Sequence, residues 1–351
     1  MFLALKEIKK EKIRSGMIIA MIALIGYLIF ILTSLALGLA RQNTDAVNSW
    51  GIDNITLNDS ANVDLRQSII TQKQVGNLTA DQALLGQAPV VVKAKDHANT
   101  SAAFVGLKPD QFIAKNLKVS SGHQATRVGE VVADDSFKTK GYELGDTVTF
   151  NDFSRKFKIV GFTQGAKLNI APVLYGRLST WRQLKGNMPG AYASAIVSKD
   201  AGYRTKANGL KTYSKATFIN KLPGYSAQNL TFGLMIFFLM LISLIVIAVF
   251  LYILTMQKLP NYAVLRAQGI PSKMLVGATI SQSVLLAAAG LILATALTVV
   301  TAFAMPASVP VAFDVPILAS AGVGLLVMAL LGSLIPIRSV LKVDPVSVIG
   351  G

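Results

Sequence analysis

With 52% hydrophobic but only 15% charged residues, this 351-residue chain falls well short of the about 25% charge usual in soluble domains, which excludes a uniformly water-soluble fold. It has no cysteine, so disulfides and thiolate metal sites are excluded. The net charge of +16 raises the question of an anionic partner. Between residues 41 and 229, 24 Lys and Arg stand against 14 Asp and Glu. They are scattered, without the aromatic interleaving of a single-strand binder, so the excess suits lipid head groups, wall polymers or plain solvation and not nucleic acid.

Taken in chain order, the first element is "FLALKEIKKEKIRSG", within residues 1–16. It sets Leu3, Leu5, Ile8 and Ile13 among Lys and Arg at near-helical spacing, as in a basic amphipathic helix lying in a membrane interface. The plainer reading is a topology signal, which needs the charges but not the periodic apolar positions. Residues 17–40 form the first of four charge-free stretches; the others are 230–256, 275–304 and 315–337. Each exceeds the roughly 18–20 apolar residues that cross a bilayer, and the chain is expected to span the membrane four times. Gly38 and Ala40 imitate a cleavage site before Arg41. The preceding apolar run is longer than the about 7–15 residues of a signal-peptide core, so an uncleaved signal anchor is expected.

Residues 41–229 read as one α+β domain inserted between the first and second spans. "PVVVKA", "AAFVGL", "EVVADD", "DTVTF", "KFKIVGF" and "APVLYG" have the β-branched enrichment and the Gly, Asp and Asn punctuation of short strands. "TWRQLKG" and "SKATFINKL" read as helices, and 58–87 as helix or loop. From Ser214 the approach to the second span reads as helical, a candidate stalk between hairpin and outer domain. In the third span "GATISQSVLLAAAG" offers small residues for close helix packing.

Lys6, Lys9, Lys10, Lys12 and Arg14 flank the first span, Lys258, Arg266 and Lys273 lie between the second and third, and Arg338 and Lys342 follow the fourth, whereas 305–314 has no Lys or Arg. The positive-inside rule therefore puts both termini and the 257–274 hairpin in the cytoplasm, and the inserted domain and the 305–314 loop outside, in a multi-pass plasma-membrane protein. Within the hairpin Leu259, Tyr262 and Leu265 recur every three residues. Pro260 suits a first helical turn, Gly269 a C-terminal cap and Pro271 a stop. A helix of two or three turns needs a docking surface, either lipid head groups or a groove on a cytoplasmic partner.

These residues resemble a known family. "LPNYAVLRAQGIPSKML" is similar to the cytoplasmic loop of the FtsX and MacB permease superfamily. "IPIRSVLKVDPVSVIGG" is similar to its carboxy-terminal ending, "LALKEIKKEKIRS" to its amino-terminal helix and "LGDTVTF…RKFKIVGF" to its outer-domain core. The layout of one span, a large outer domain and three further spans agrees, so the resemblance covers essentially the whole chain. "SLALGLARQN", "FLYILTMQKL", "RAQGI" and "MPASVPVAF" look most like the haem-exporting branch. Asn261 departs from the wider superfamily, where Glu is common.

The resemblance implies an ABC permease that acts as a homodimer with two copies of a separate ATPase, with haem as the transported substrate. ATP would be bound by the partner alone; no G-x-x-x-x-G-K-[ST] loop and no H-E-x-x-H occurs in this chain. Leu259, Tyr262, Leu265 and Arg266 would couple to that ATPase. Arg41 and Asn43, at the outer end of the first span, would receive the haem propionates, with snorkelling of Arg41 as the plainer reading. The spans contain no His or Cys. An axial contact would therefore fall to Tyr27, Met235, Met240 or, just outside, Tyr225, each of which also reads as an ordinary packing or lipid-facing residue. His97 and His123 read as surface residues of the outer domain. Export of a peptide, lipid or antibiotic, and FtsX-like signalling to an extracellular hydrolase, are the alternatives within the same resemblance.

Overall fold

The computed structural model describes residues 6, 8–306 and 309–341. They divide into two units, one made of residues up to 38 together with those from 229 onward, the other of residues 39–228. Leu3 and Leu5 of the amphipathic pattern and the "KVDPVSVIGG" ending lie outside the described residues.

The expected class holds: among the described residues four helices are long and apolar enough to cross a membrane, with an α+β domain between the first and second. The helices of the bundle are α1 (Lys12–Ser49), α2 (Tyr225–Ala267), α3 (Ser272–Ala304), α4 (Val315–Gly332) and α5 (Leu334–Leu341). Ser333 separates the last two; its hydroxyl turns back to the Leu330 carbonyl at 2.6 Å. Ile18 and Ile22 of α1, Ile247, Leu251 and Leu254 of α2, Leu286 of α3 and Ala329 of α4 form the buried centre. The small residues of the third span act as expected. A Cβ on Gly290 would lie 2.7 Å from Ile22 Cγ2, so only glycine admits α1 this closely. Gly38 has a structural use unrelated to cleavage: a side chain there would collide with the Pro310 backbone. The same loop donates the Ala312 N–H to the Ser34 carbonyl at 2.9 Å.

The inserted domain contains β1 (Asn54–Asn58), β2 (Gln82–Ala94), β3 (Thr100–Leu107), β4 (Val119–Gly122), β5 (Glu130–Asp134), β6 (Thr147–Phe150), β7 (Phe157–Thr163), β8 (Lys167–Leu168), β9 (Ala171–Arg177), β10 (Ala195–Ser198) and β11 (Leu210–Ser214). The ladder runs β11-β1-β10-β2-β3-β9-β5-β7-β4, and β6 pairs with both β2 and β7. That last pairing closes β2-β3-β9-β5-β7-β6 into a circuit, which removes the free edges those strands would otherwise expose. One face carries Phe104, Phe150, Phe157 and Trp181, the other Leu85, Val105, Tyr175 and Phe218. The short helix Leu178–Leu184 lies against β2 and β3 because Gly86 has no side chain where the Trp181 ring sits.

The six strands read from the sequence are present. Region 58–87 is neither one helix nor one loop: it holds a 3-10 turn, the one-turn helix Gln72–Val75 and the start of β2. The approach to the second span is not a continuous helix from Ser214. The helix Lys215–Asn220 stops, Gly224 adopts φ +77°, and α2 begins at Tyr225. A glycine in the left-handed region ends one helix and redirects the chain before the next.

The last residues of α1 enter the core of the inserted domain, where Ala46 and Val47, then Trp50 just beyond the helix, are buried. Trp50 Nε1 donates to the hydroxyl of buried Tyr175 at 3.1 Å. Burial pushes the Tyr175 phenol up to about 12, against the lowering effect of its bonds to Trp50 and Ser49. Tyr175→Phe leaves the indole N–H buried without an acceptor and should cost about 1–3 kcal/mol. Chemical denaturation of the full chain in detergent, followed by Trp fluorescence, measures that loss; an unchanged midpoint would show that the bond is dispensable.

Candidate functional site

The hairpin differs from its sequence reading. Instead of a separate short helix beginning near Pro260, α2 continues without interruption through Pro260 to Ala267. Proline removes one helical hydrogen bond, but the turn beyond it is held by tertiary packing, with Tyr262 buried against Leu275 of α3 and Val340 of α5. Gly269 at φ +90° then closes the turn, with the Ile270 N–H on the Leu265 carbonyl at 3.1 Å, and Pro271 caps α3.

This packing redistributes the residues assigned to coupling. Tyr262 is only 2% exposed and is occupied within its own chain. Leu259, Leu265 and Arg266 are half-buried, and Leu265 packs beside the same cluster. The outward face is formed by Pro260, Asn261 and Val264 on α2, by Gln268 just beyond its end, and by Lys273 and Met274 on α3. Val264 and Met274 are 47% and 59% exposed. Behind that face Lys258 is buried and donates to Gln282 Oε1 at 3.2 Å, while Arg14 donates to Gln257 Oε1 at 2.6 Å. The sequence reading treated Lys258 as a flanking charge; nothing in the pattern identified Gln282, 24 positions on, as its partner.

Arg41 and Asn43 lie on α1, with Arg41 exposed and within electrostatic reach of Asp45 one turn on. Asn43 is buried, and its Nδ2 donates both to the Leu39 carbonyl at 2.9 Å and to Gln228 Oε1 at 3.3 Å. Its donors are therefore engaged in joining α1 to the first turn of α2, which does not suit the expected role of supporting a propionate. Gln228 is the residue that sequence reasoning missed. Tyr225, on the same turn of α2, is half-buried against the inserted domain's core. Met235 is 45% exposed on α2. Tyr27 shares a hydrogen bond with Thr301 at 2.9 Å, and the Met240 thioether lies beside Gly324, so both serve helix packing.

His97 sits on the surface against the Tyr142 ring, with Nδ1 2.8 Å from the Lys95 carbonyl. Hydrogen bonding to the Lys95 backbone, then to Gly141, holds its pKa above the ordinary imidazole value. His123 faces solvent with Nδ1 2.9 Å from the Gln124 carbonyl. Among the described residues no group of three His, Asp or Glu has the geometry of a metal site.

Residues 233–345 match the family described as the FtsX-like permease C-terminal domain. The whole chain is 26% identical to a protein of Staphylococcus haemolyticus named as the hemin transport system permease HrtB, covering 100% of this chain and 99% of the relative. It is 25% identical to the HrtB of Staphylococcus epidermidis and 24% identical to an uncharacterised ABC transporter permease of Mycobacterium tuberculosis, each with 100% and 99% coverage. Among solved structures, the periplasmic region of MacB from Actinobacillus actinomycetemcomitans aligns with 49% of this chain and 92% of its own length, at 18% identity and a TM-score of 0.36. The extracellular domain of the transporter YknZ covers 45% and 84%, at 12% identity and a TM-score of 0.32.

The assignment of Asn43 to packing has a direct consequence. Asn43→Ala should destabilise the ligand-free protein by about 1–3 kcal/mol, because Gln228 loses its partner in a buried setting. Thermal unfolding in detergent without ligand checks this. Unchanged stability would return Asn43 to the pool of residues available to a substrate.

Proposed function

We propose that this chain is an ABC transporter permease of the FtsX type that extrudes haem from the plasma membrane as a homodimer driven by two copies of a separate ATPase. The observation that carries the reading is similarity along the full length, at 100% and 99% coverage, to relatives named for hemin transport. Two features of the chain support it. Its spans are free of charged residues through their centres, as suits a substrate that partitions into lipid and not an aqueous ion path. The sequence also lacks a phosphate-binding loop, so nucleotide chemistry belongs to a partner.

In this reading both termini and the hairpin are cytoplasmic, and the ATPase docks on the outward hairpin face. Val264 and Met274 supply apolar contact there and Lys273 a charge, while the buried Tyr262, Leu275 and Val340 join the hairpin to α5. The pull of ATPase closure is thereby carried to α2, α3 and α5 together. Arg41 remains the best-placed group for a propionate near the outer surface, since it is exposed and its planar guanidinium pairs a carboxylate through two donors.

Two measurements test the proposal. Val264→Asp places a charge in a docking surface at a cost of several kcal/mol without disturbing the Tyr262 packing; the ATPase should cease to co-purify, and undiminished co-purification would place docking elsewhere. Haem titration of the detergent-solubilised chain by Soret absorbance should show about 10- to 150-fold weaker binding for Arg41→Ala, the loss of one charge-assisted pair, with partial recovery in Arg41→Lys. His97→Ala and His123→Ala should bind as the wild type. Loss of the Soret shift in either histidine variant, with normal binding by Arg41→Ala, would move haem into the inserted domain.

A further inference from the structure

Strands β3 and β9 run parallel with Leu107 opposite Arg177, so the chain leaves both strands at the same end of the sheet. The loop after β3 and the helix Leu178–Leu184 after β9 therefore stand side by side, and a cleft of about 270 Å³ opens between them. Its lining carries three cations, Lys108, Arg177 and Arg182, against one acid, Asp110, together with the exposed Ser179.

The three cations are held in different ways. Arg177 donates through a terminal nitrogen to the Thr126 carbonyl and stands as a fixed charge at one wall. Arg182 donates Nε to the Tyr192 carbonyl at 3.1 Å, and its guanidinium lies 4.1 Å from the centre of the Tyr192 ring. The Lys108 ammonium stands over the same ring at 5.5 Å. The ring attracts each cation and limits its wandering, but two like charges gathered there repel each other. Among the described residues none of the three cations forms a salt bridge, and Asp110 is turned out to solvent. The Lys108 ammonium and the terminal nitrogens of Arg182 donate no hydrogen bond to the described residues, yet none of these nitrogens is buried. They are donors that a ligand can reach.

We propose that this cleft binds a phosphomonoester, with Lys108 and the Arg182 fork on its oxygens and the Ser179 hydroxyl as a further donor. Charge selects this group. Two unpaired cations match the about −1.5 to −2 charge that a phosphomonoester carries near neutral pH, whereas a phosphodiester or a carboxylate brings only a single charge. Shape agrees, since donors supplied from two walls serve a tetrahedral anion, and a planar carboxylate would be satisfied by the arginine fork alone. Leu107, Pro109 and Leu178 give the ester's stem an apolar flank. The site stands independently of the haem reading, since it draws on none of the residues assigned to haem or to the ATPase.

Glycerol 3-phosphate is the probe, titrated calorimetrically into the full chain in an uncharged detergent at neutral pH, with dimethyl phosphate as the diester and acetate as the carboxylate. Saturable binding of glycerol 3-phosphate, weakened by added salt, is expected, with none of the other two. Dihexanoyl phosphatidate, which carries the same group on a lipid, should also bind, and the tighter of the two identifies the source. Lys108→Gln, in a loop, should weaken glycerol 3-phosphate about tenfold or more. Arg182→Lys should weaken it by less, because the charge stays and only the planar fork is lost. Lys158→Gln, at an exposed cation of β7, should bind as the wild type. Thermal unfolding of the ligand-free variants shows that the fold is retained; if Arg182→Lys does not fold, Lys108→Gln decides. No saturable binding by the wild type would overturn the proposal. So would equal binding of dimethyl phosphate or acetate, or wild-type affinity in folded Lys108→Gln.

Discussion

Ile22 of α1 occupies the space that any side chain on Gly290 of α3 would need, and the helical bundle depends on contacts of this kind. Lipid tails are as apolar as the helix surfaces, so association inside a bilayer gains little from hydrophobic burial and relies on close packing and a few polar ties. Gly26 faces Ala294 on the same helix pair, and Gly332 faces the Ala248 backbone, repeating the arrangement between α4 and α2. The polar ties include Tyr27 with Thr301 within the apolar region, and Lys258 with Gln282 and Arg14 with Gln257 near the hairpin. Much of α2, including Phe237, Phe238, Ile245 and Val249, stays exposed, a surface suited to lipid or to a second copy of the chain.

The inserted domain obeys the opposite balance. Its strands bury aromatic and β-branched side chains on both faces, and the pairing of β6 with β2 and β7 closes its main circuit. Trp50 at the end of α1 and Tyr225 at the start of α2 both reach its core. The chain segments that enter and leave the domain are therefore held within its own packing.

The spans were legible because nothing but an apolar helix gives more than twenty residues without charge, and the inner strands because Val, Ile and Phe repeat between turn residues. β1, "NITLN", was not legible: Asn at both ends looks like a loop, yet Asn54 Nδ2 bonds the Asp200 carbonyl at 2.7 Å and so belongs to the fold. At the hairpin, periodicity could not say what covers Tyr262 and Leu265; α5, some 75 residues on, does so through Val340. Asn43 failed for the same reason, since its partner Gln228 is distant in sequence.

The proposed reading is that ATP hydrolysis by a partner moves haem through this chain. The most direct measurement reconstitutes the chain with its ATPase in haem-loaded liposomes, with an excess of an external haem-binding protein, and follows haem transfer spectroscopically. ATP should accelerate transfer to the outer acceptor, and neither omission of ATP nor omission of this chain should leave that acceleration intact. ATP turnover at full rate with no change in haem transfer would contradict haem as the substrate.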